Sequence, residues 1–247
     1  MIPVMDSVPS RNTPIAMYGI IFVNALVFFL EIQLPSGSRD QLFYWLGLVP
    51  ARYTHPAWVQ FVGFAADDYW PFLTSMFLHG GWLHIIGNIW MLYIFGDNVE
   101  DRMGPIGFLG FYLLCGIAAA AVHVWTNPMS TIPTVGASGA VAGVMGAYFV
   151  LFPRARVITL IPIFFYPLFV ALPASVFIGV WAFIQFYNGT LSVLTVNPHV
   201  GGIAWWAHVG GFAAGVILCG FFSQPARTCR RCPKDQVFWE LPWLHER

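Results

Sequence analysis

Four stretches of the chain carry no Asp, Glu, Lys or Arg: Asn12 to Leu30, Tyr69 to Gly96, Met103 to Pro153 and Val157 to Ala226. A helix needs roughly 20 predominantly apolar residues to cross a bilayer, so the longer stretches must hold more than one crossing. Turn residues divide them at Thr126 to Pro133 and at Asn188 to Pro198. The pattern predicts an all-α membrane protein of six helices, near 14–33, 82–102, 105–125, 136–152, 169–187 and 203–222. Residues 157–168 are apolar too, but Pro162, Pro167 and Pro173 interrupt this region. They read either as an interfacial segment or as a broken extension of the fifth span.

Composition agrees with the pattern. Only 9% of the 247 residues are charged and 58% are hydrophobic, where a soluble domain carries about a quarter charged residues. The cations then set the orientation. With a cytoplasmic N-terminus, Arg11, Arg102, Arg154, Arg156, Arg227, Arg230, Arg231, Lys234 and Arg247 lie inside, against Arg39 and Arg52 outside. Both termini are then cytoplasmic, in an integral membrane protein. A formal net charge of zero speaks against a nucleic-acid partner. Met1 to Thr13 is polar and the run after it is long enough to span, so a cleavable signal peptide is not expected.

The layout is a cytoplasmic N-terminus (1–13), a six-span domain (14–222) and a cytoplasmic tail (223–247). A first loop from about Pro35 to Gly81 is rich in aromatics, which places it partly in the membrane surface. Trp205 and Trp206 fit the same aromatic belt. Cys115 and Cys219 read as small apolar packers within spans. Cys229 and Cys232 form a lone Cys-Arg-Arg-Cys, with only His245 beside them in the tail. That is too few ligands for a tetrahedral zinc site, so neither a metal nor another cofactor is expected.

The candidate chemistry follows from parity. Spans two, four and six run in the same direction, so their first turns lie at one depth near the outer face. His84 and Asn88 open span two, Ser138 opens span four and His208 lies early in span six. Polar side chains inside a membrane are costly and face a bundle interior or a watery cavity. Gly139, Gly143 and Gly146 follow Ser138 at steps of four and three, while Gly211 and Gly215 follow His208 at steps of three and four. Two such smooth faces can pack closely and bring the histidine within reach of the serine, whose hydroxyl needs a base to become a nucleophile. His79, His123 and His199 are expected at the interface. The acids of the second span cannot reach His208, because Glu100 lies 16 residues beyond His84, about 24 Å along the helix.

Four separated motifs carry a resemblance. They are His84-Ile85-Ile86-Gly87-Asn88, Gly96-Asp97-Asn98-Val99-Glu100-Asp101-Arg102-Met103-Gly104, Gly136-Ala137-Ser138-Gly139, and Ala207-His208-Val209-Gly210-Gly211 with Gly215. In this order the sequence resembles bacterial rhomboids, intramembrane serine proteases with a six-span core. The resemblance implies a Ser138 and His208 dyad, with His84, Asn88 and Gly136 at the oxyanion and substrate site and Gly139, Gly143, Gly211 and Gly215 in helix packing. It also implies structural roles for Glu100 and Arg102. The chain departs from the family in lacking a Trp-Arg pair in the first loop, so no role passes to Arg52. Ala142 stands where some members have a tyrosine against the catalytic histidine, so support for that ring must come from elsewhere.

The implied partners are the bilayer and a single-span membrane protein cut near its outer end, with the oligomeric state left open. The alternative is an inactive rhomboid-like protein that binds membrane clients, although such relatives lack the serine or the histidine. A channel or transporter would carry polar positions through the depth of several spans, whereas here they gather at one end.

Overall fold

The computed structural model describes residues 1–65, 67–163, 166–194 and 204–224, and it is mostly helical. Strand β1 (Ile2–Asp6) precedes helix α1 (Ile15–Gln33). Four short helices follow, α2 (Ser36–Leu46), α3 (Ala51–Thr54), α4 (Pro56–Val62) and α5 (Pro71–Thr74). Then come α6 (Trp82–Met103), α7 (Pro105–Thr126), α8 (Ser138–Leu151), strands β2 (Arg156–Ile163) and β3 (Tyr166–Pro173), α9 (Ala174–Leu194) and α10 (Trp205–Phe222).

Among the described residues four helices, α1, α7, α9 and α10, are long and apolar enough to cross a membrane. The other two of the expected six differ in kind. Helix α8 has 14 residues, and every one from Gly139 to Tyr148 is buried. A helix apolar all round belongs in the centre of a bundle, and α6, α7 and α10 surround it. Helix α6 has the length but ends in Asp97, Glu100, Asp101 and Arg102. Glu100 and Asp101 hold the start of α1 and the chain that leads into it. The Glu100 carboxylate accepts from the Ala16 and Met17 amides at 3.0 and 2.7 Å, satisfying N–H groups that a helix start leaves open. Asp101 accepts from the Arg11 and Asn12 amides at 2.6 and 3.0 Å. Gly104, at φ +73°, turns the chain from α6 straight into Pro105, the first residue of α7.

The all-α expectation is corrected by a three-stranded antiparallel sheet in the order β1-β2-β3. Residues 157–163 and 166–168 do not extend α9, the second of the two expected readings. They belong to a hairpin running from Arg156↔Pro173 to Ile163↔Tyr166, in which Pro162 and Pro167 lie opposite each other. Proline breaks a helix, and the β-branched Val157, Ile158, Thr159 and Ile161 favour an extended chain. Helix α9 therefore begins at Ala174 and not at 169. Ile2–Asp6, expected within a polar tail, pairs with β2. Trp90 Nε1 donates to the Pro3 carbonyl at 2.7 Å, and the Tyr148 hydroxyl donates to Asp6.

The first loop is built around Arg52, a side chain only 1% exposed. Its guanidinium pairs with Asp68 at 2.8 Å, donates to the Ala65 carbonyl at 3.1 Å and lies 4.7 Å from the Phe64 ring centroid. The loop in turn holds the segment before α8. Leu48 and Thr134 exchange both backbone hydrogen bonds, at 2.9 and 2.8 Å, and the Ala51 amide donates to the Ser130 carbonyl at 2.9 Å.

Candidate active site

Ser138 is the first residue of α8 and His208 lies in the first turn of α10. The distance from Ser138 Oγ to His208 Nε2 is 2.8 Å. The glycine faces account for that distance. A Cβ on Gly211 would lie 1.9 Å from the Gly139 carbonyl oxygen, and one on Gly215 would lie 2.0 Å from that of Gly143. On the other helix, a Cβ on Gly143 would meet Cys115 Cβ at 2.4 Å, and one on Gly139 would meet Ala119 Cβ at 2.5 Å. Helices α8 and α10 thus touch backbone to backbone, with α7 closing over the same glycines.

His84 and Asn88 converge on the turn before Ser138. Gly136 sits at φ +127°, a conformation side chains rarely adopt, and a Cβ there would come within 2.5 Å of His84 Nε2. The Gly136 amide is engaged with the Ser75 carbonyl at 2.8 Å, so this residue contributes room and no free donor. Asn88 is buried, and its Nδ2 has no hydrogen-bond partner among the described residues. The Ser138 amide belongs to the first turn of a helix, where N–H groups lack intrahelical acceptors and the dipole favours negative charge. Asn88 Nδ2 and the Ser138 amide are therefore donors awaiting an acceptor. They border a cavity of about 970 Å³ that Ser138, His208, His84 and Asn88 all line.

His79 and His123, expected among the interfacial residues, are both buried within the protein. His79 is 1% exposed, with its ring 5.2 Å from that of His84. Burial, reinforced by His84, pulls it down to about 4, so it is neutral at ordinary pH. His123 is buried in α7 and its Nε2 is 2.8 Å from Thr134 Oγ1, which ties α7 to the segment that delivers Ser138. His199, Cys229, Cys232 and the tail from residue 225 lie outside the described residues. Among the described residues no group of three His, Cys, Asp or Glu is placed to hold a metal ion.

Two side chains that the sequence reading passed over flank His208. Gln185 Oε1 lies 2.8 Å from His208 Nδ1, and the Trp181 ring packs at 6.0 Å between centroids. Both belong to α9. They supply the support that Ala142 cannot.

Comparison with known sequences decides the family. The rhomboid domain model matches residues 66–225. This chain belongs to the rhomboid family. Among its relatives are Rhomboid-like protein 11, chloroplastic, of Arabidopsis thaliana, 34% identical over 49% of this chain and 39% of the relative. Rhomboid protein 1, mitochondrial, of Saccharomyces cerevisiae is 26% identical over 64% of this chain and 43% of the relative. Rhomboid protease GluP of Bacillus subtilis is 36% identical over 34% of this chain and 16% of the relative. The chain spans less than half the length of these curated relatives. Family membership and the apolar helices together make this rhomboid an integral membrane protein.

Proposed function

We propose that this rhomboid is an intramembrane serine endopeptidase that cleaves single-span membrane proteins near their outer end, with Ser138 as nucleophile and His208 as general base. The observation that carries the reading is the 2.8 Å contact between Ser138 Oγ and His208 Nε2 at the wall of a roomy cavity.

Each step has a group to perform it. His208 Nε2 takes the proton as Ser138 Oγ attacks the scissile carbonyl carbon. The oxyanion forms against the Ser138 amide and Asn88, with His84 beside them, and each donor is worth about 100 to 1,000 fold in turnover. His208 then gives its proton to the leaving amine and the acyl-enzyme forms. Water repeats the sequence and releases the second product. No cofactor takes part. The peptide must be extended at the scissile bond, because a helix engages its carbonyls in hydrogen bonds, so the substrate helix unwinds locally.

The topology we propose has six spans, with both termini cytoplasmic, the site near the outer face, and 1–13 and 223–247 flanking the membrane domain. At 14 residues α8 is about 21 Å long, short for a bilayer, but its buried position frees it from matching lipid thickness. The polar end of α6 is likewise engaged by the α1 entry. The membrane we assign is a bacterial inner membrane.

The test is to reconstitute the purified protein with a single-span model substrate, beside Ser138→Ala, and to label both with a fluorophosphonate. Cleavage and labelling that both depend on Ser138 support the assignment. A folded wild-type protein that does neither refutes it.

A further inference from the structure

A dyad without a carboxylate must fix its imidazole in another way. Among the described residues no acid contacts His208; Asp68 of the first loop is paired with Arg52. The groups at hydrogen-bond distance from the ring are Ser138 on one nitrogen and Gln185 on the other, each at 2.8 Å.

Building on the protease reading, we propose that Gln185 is the positioning residue of His208, its carboxamide oxygen holding the tautomer with hydrogen on Nδ1 so that Nε2 is free to take the Ser138 proton.

Placement supports this role. Gln185 is buried, at 6% exposure, within an apolar helix, and a buried amide is costly unless hydrogen bonded. It lies on the inward stripe of α9, following Ala174, Ile178 and Trp181 at steps of four, three and four. Gly189 continues that stripe and accepts from Trp206 Nε1 at 3.0 Å, which ties α9 to α10 beside the histidine. The ring therefore meets a hydrogen-bond acceptor and an aromatic face from two successive turns of one helix.

The direction of the bond matters. With the amide oxygen towards Nδ1, His208 donates there and keeps its Nε2 lone pair for the serine. The reversed amide would present N–H to Nδ1, force the hydrogen onto Nε2 and leave no base. When Nε2 is protonated during the reaction, the Nδ1–H bond becomes charge-assisted and stronger, so Gln185 favours the transition state without exchanging a proton itself.

Gln185→Met keeps length and apolar packing but removes the acceptor, whereas Gln185→Glu keeps an acceptor. In liposomes with the single-span substrate, Gln185→Met is expected to lose about 10 to 100 fold in kcat with little change in KM. Fluorophosphonate labelling of Ser138 should slow in parallel, with thermal unfolding near that of the wild type. Gln185→Glu should recover most of the lost kcat. A wild-type kcat in Gln185→Met, or a folded Gln185→Glu no faster than Gln185→Met, overturns the proposal. Nitrogen-15 NMR of the histidine-labelled wild type needs no variant to fold. Hydrogen on His208 Nδ1, lost in Ser138-intact Gln185→Met, supports the proposal; hydrogen on Nε2 overturns it. If the wild type neither cleaves nor labels at Ser138, the protease reading itself fails, and the NMR result still reports on the Gln185 contact.

Discussion

Two of the helices packed against α10 hold it in opposite ways. Helix α8 meets it through backbone, at glycines where an added Cβ would overlap a carbonyl. Helix α9 meets it through side chains, with Gln185 and Trp181 against His208 and Trp206 against Gly189, while Phe183, Ile184, Phe186 and Tyr187 are exposed. Backbone contact leaves almost no freedom, so it sets the distance between serine and histidine. Side-chain contact is adjustable and chemically specific, so it sets the orientation and protonation of the ring. The proposed catalytic pair needs both, and here they come from different helices.

The largest effect should come from breaking the chemistry and leaving both contacts intact. Ser138→Ala and His208→Ala are each expected to reduce liposome cleavage by at least about 1,000 fold while the protein stays folded, since either removes an essential part of one proton-transfer unit. Next is the backbone contact. Gly211→Ala forces a methyl group against the Gly139 carbonyl, and overpacking of this severity should cost about 3 kcal/mol in an unfolding titration, with labelling of Ser138 falling as the helices part. The contrast is sharpened by Ala182→Ser on α9, a half-buried position where the same titration should move by less than about 0.5 kcal/mol.

Asn88→Ala should lower kcat by about 100 fold with KM nearly unchanged, because an oxyanion donor acts on the transition state. A raised KM with normal kcat would make Asn88 a binding residue. Asp67→Asn and Asp68→Asn, singly and together, should change kcat by less than about twofold at every pH, since a neutral amide already holds His208 and Asp68 serves Arg52. A loss approaching that of His208→Ala would show a carboxylate at work.

The smallest effect concerns the sheet. Burial raises Asp6 to about 7, partly offset by the Tyr148 hydrogen bond and reinforced by nearby Asp97. Its folded value lies above the unfolded one of about 3.9, so the folded state binds the extra proton between the two. The stability that Asp6 contributes is present below about pH 4 and is lost as pH rises towards 7. Asp6→Asn should flatten that decline in unfolding measured from pH 4 to 8, and an unchanged slope would exclude Asp6 as its source.

Much of the site was legible because cost singles it out. Ser138, His208, His84 and Asn88 are polar groups in apolar spans, and the direction of alternate spans puts them at one depth. The same rule points to Gln185, a buried amide in an apolar helix. Parity hid it, because α9 runs the other way and its outer half is its C-terminal half. Arg52 was hidden by dispersed partners, since Asp68, Ala65, Phe64 and Trp45 reach it from turns that no periodicity predicts.

Residues 157–168 mark the limit from the other side. An apolar run with prolines satisfies several local structures equally, and one edge of the sheet it forms is supplied by β1, more than 150 positions away in the chain. Local hydrophobicity by itself determined that this protein lives in lipid, where α1, α6, α7, α8 and α10 begin and end to within a few residues, and which glycine faces could meet, because burying apolar surface and breaking helices are costs each segment carries alone. Which nitrogen of His208 faces the serine, what holds the other, and where the N-terminal strand finds its partner were decided only when distant segments packed together, because hydrogen bonds reward atoms that the fold, and not the order of residues, brings to 2.8 Å.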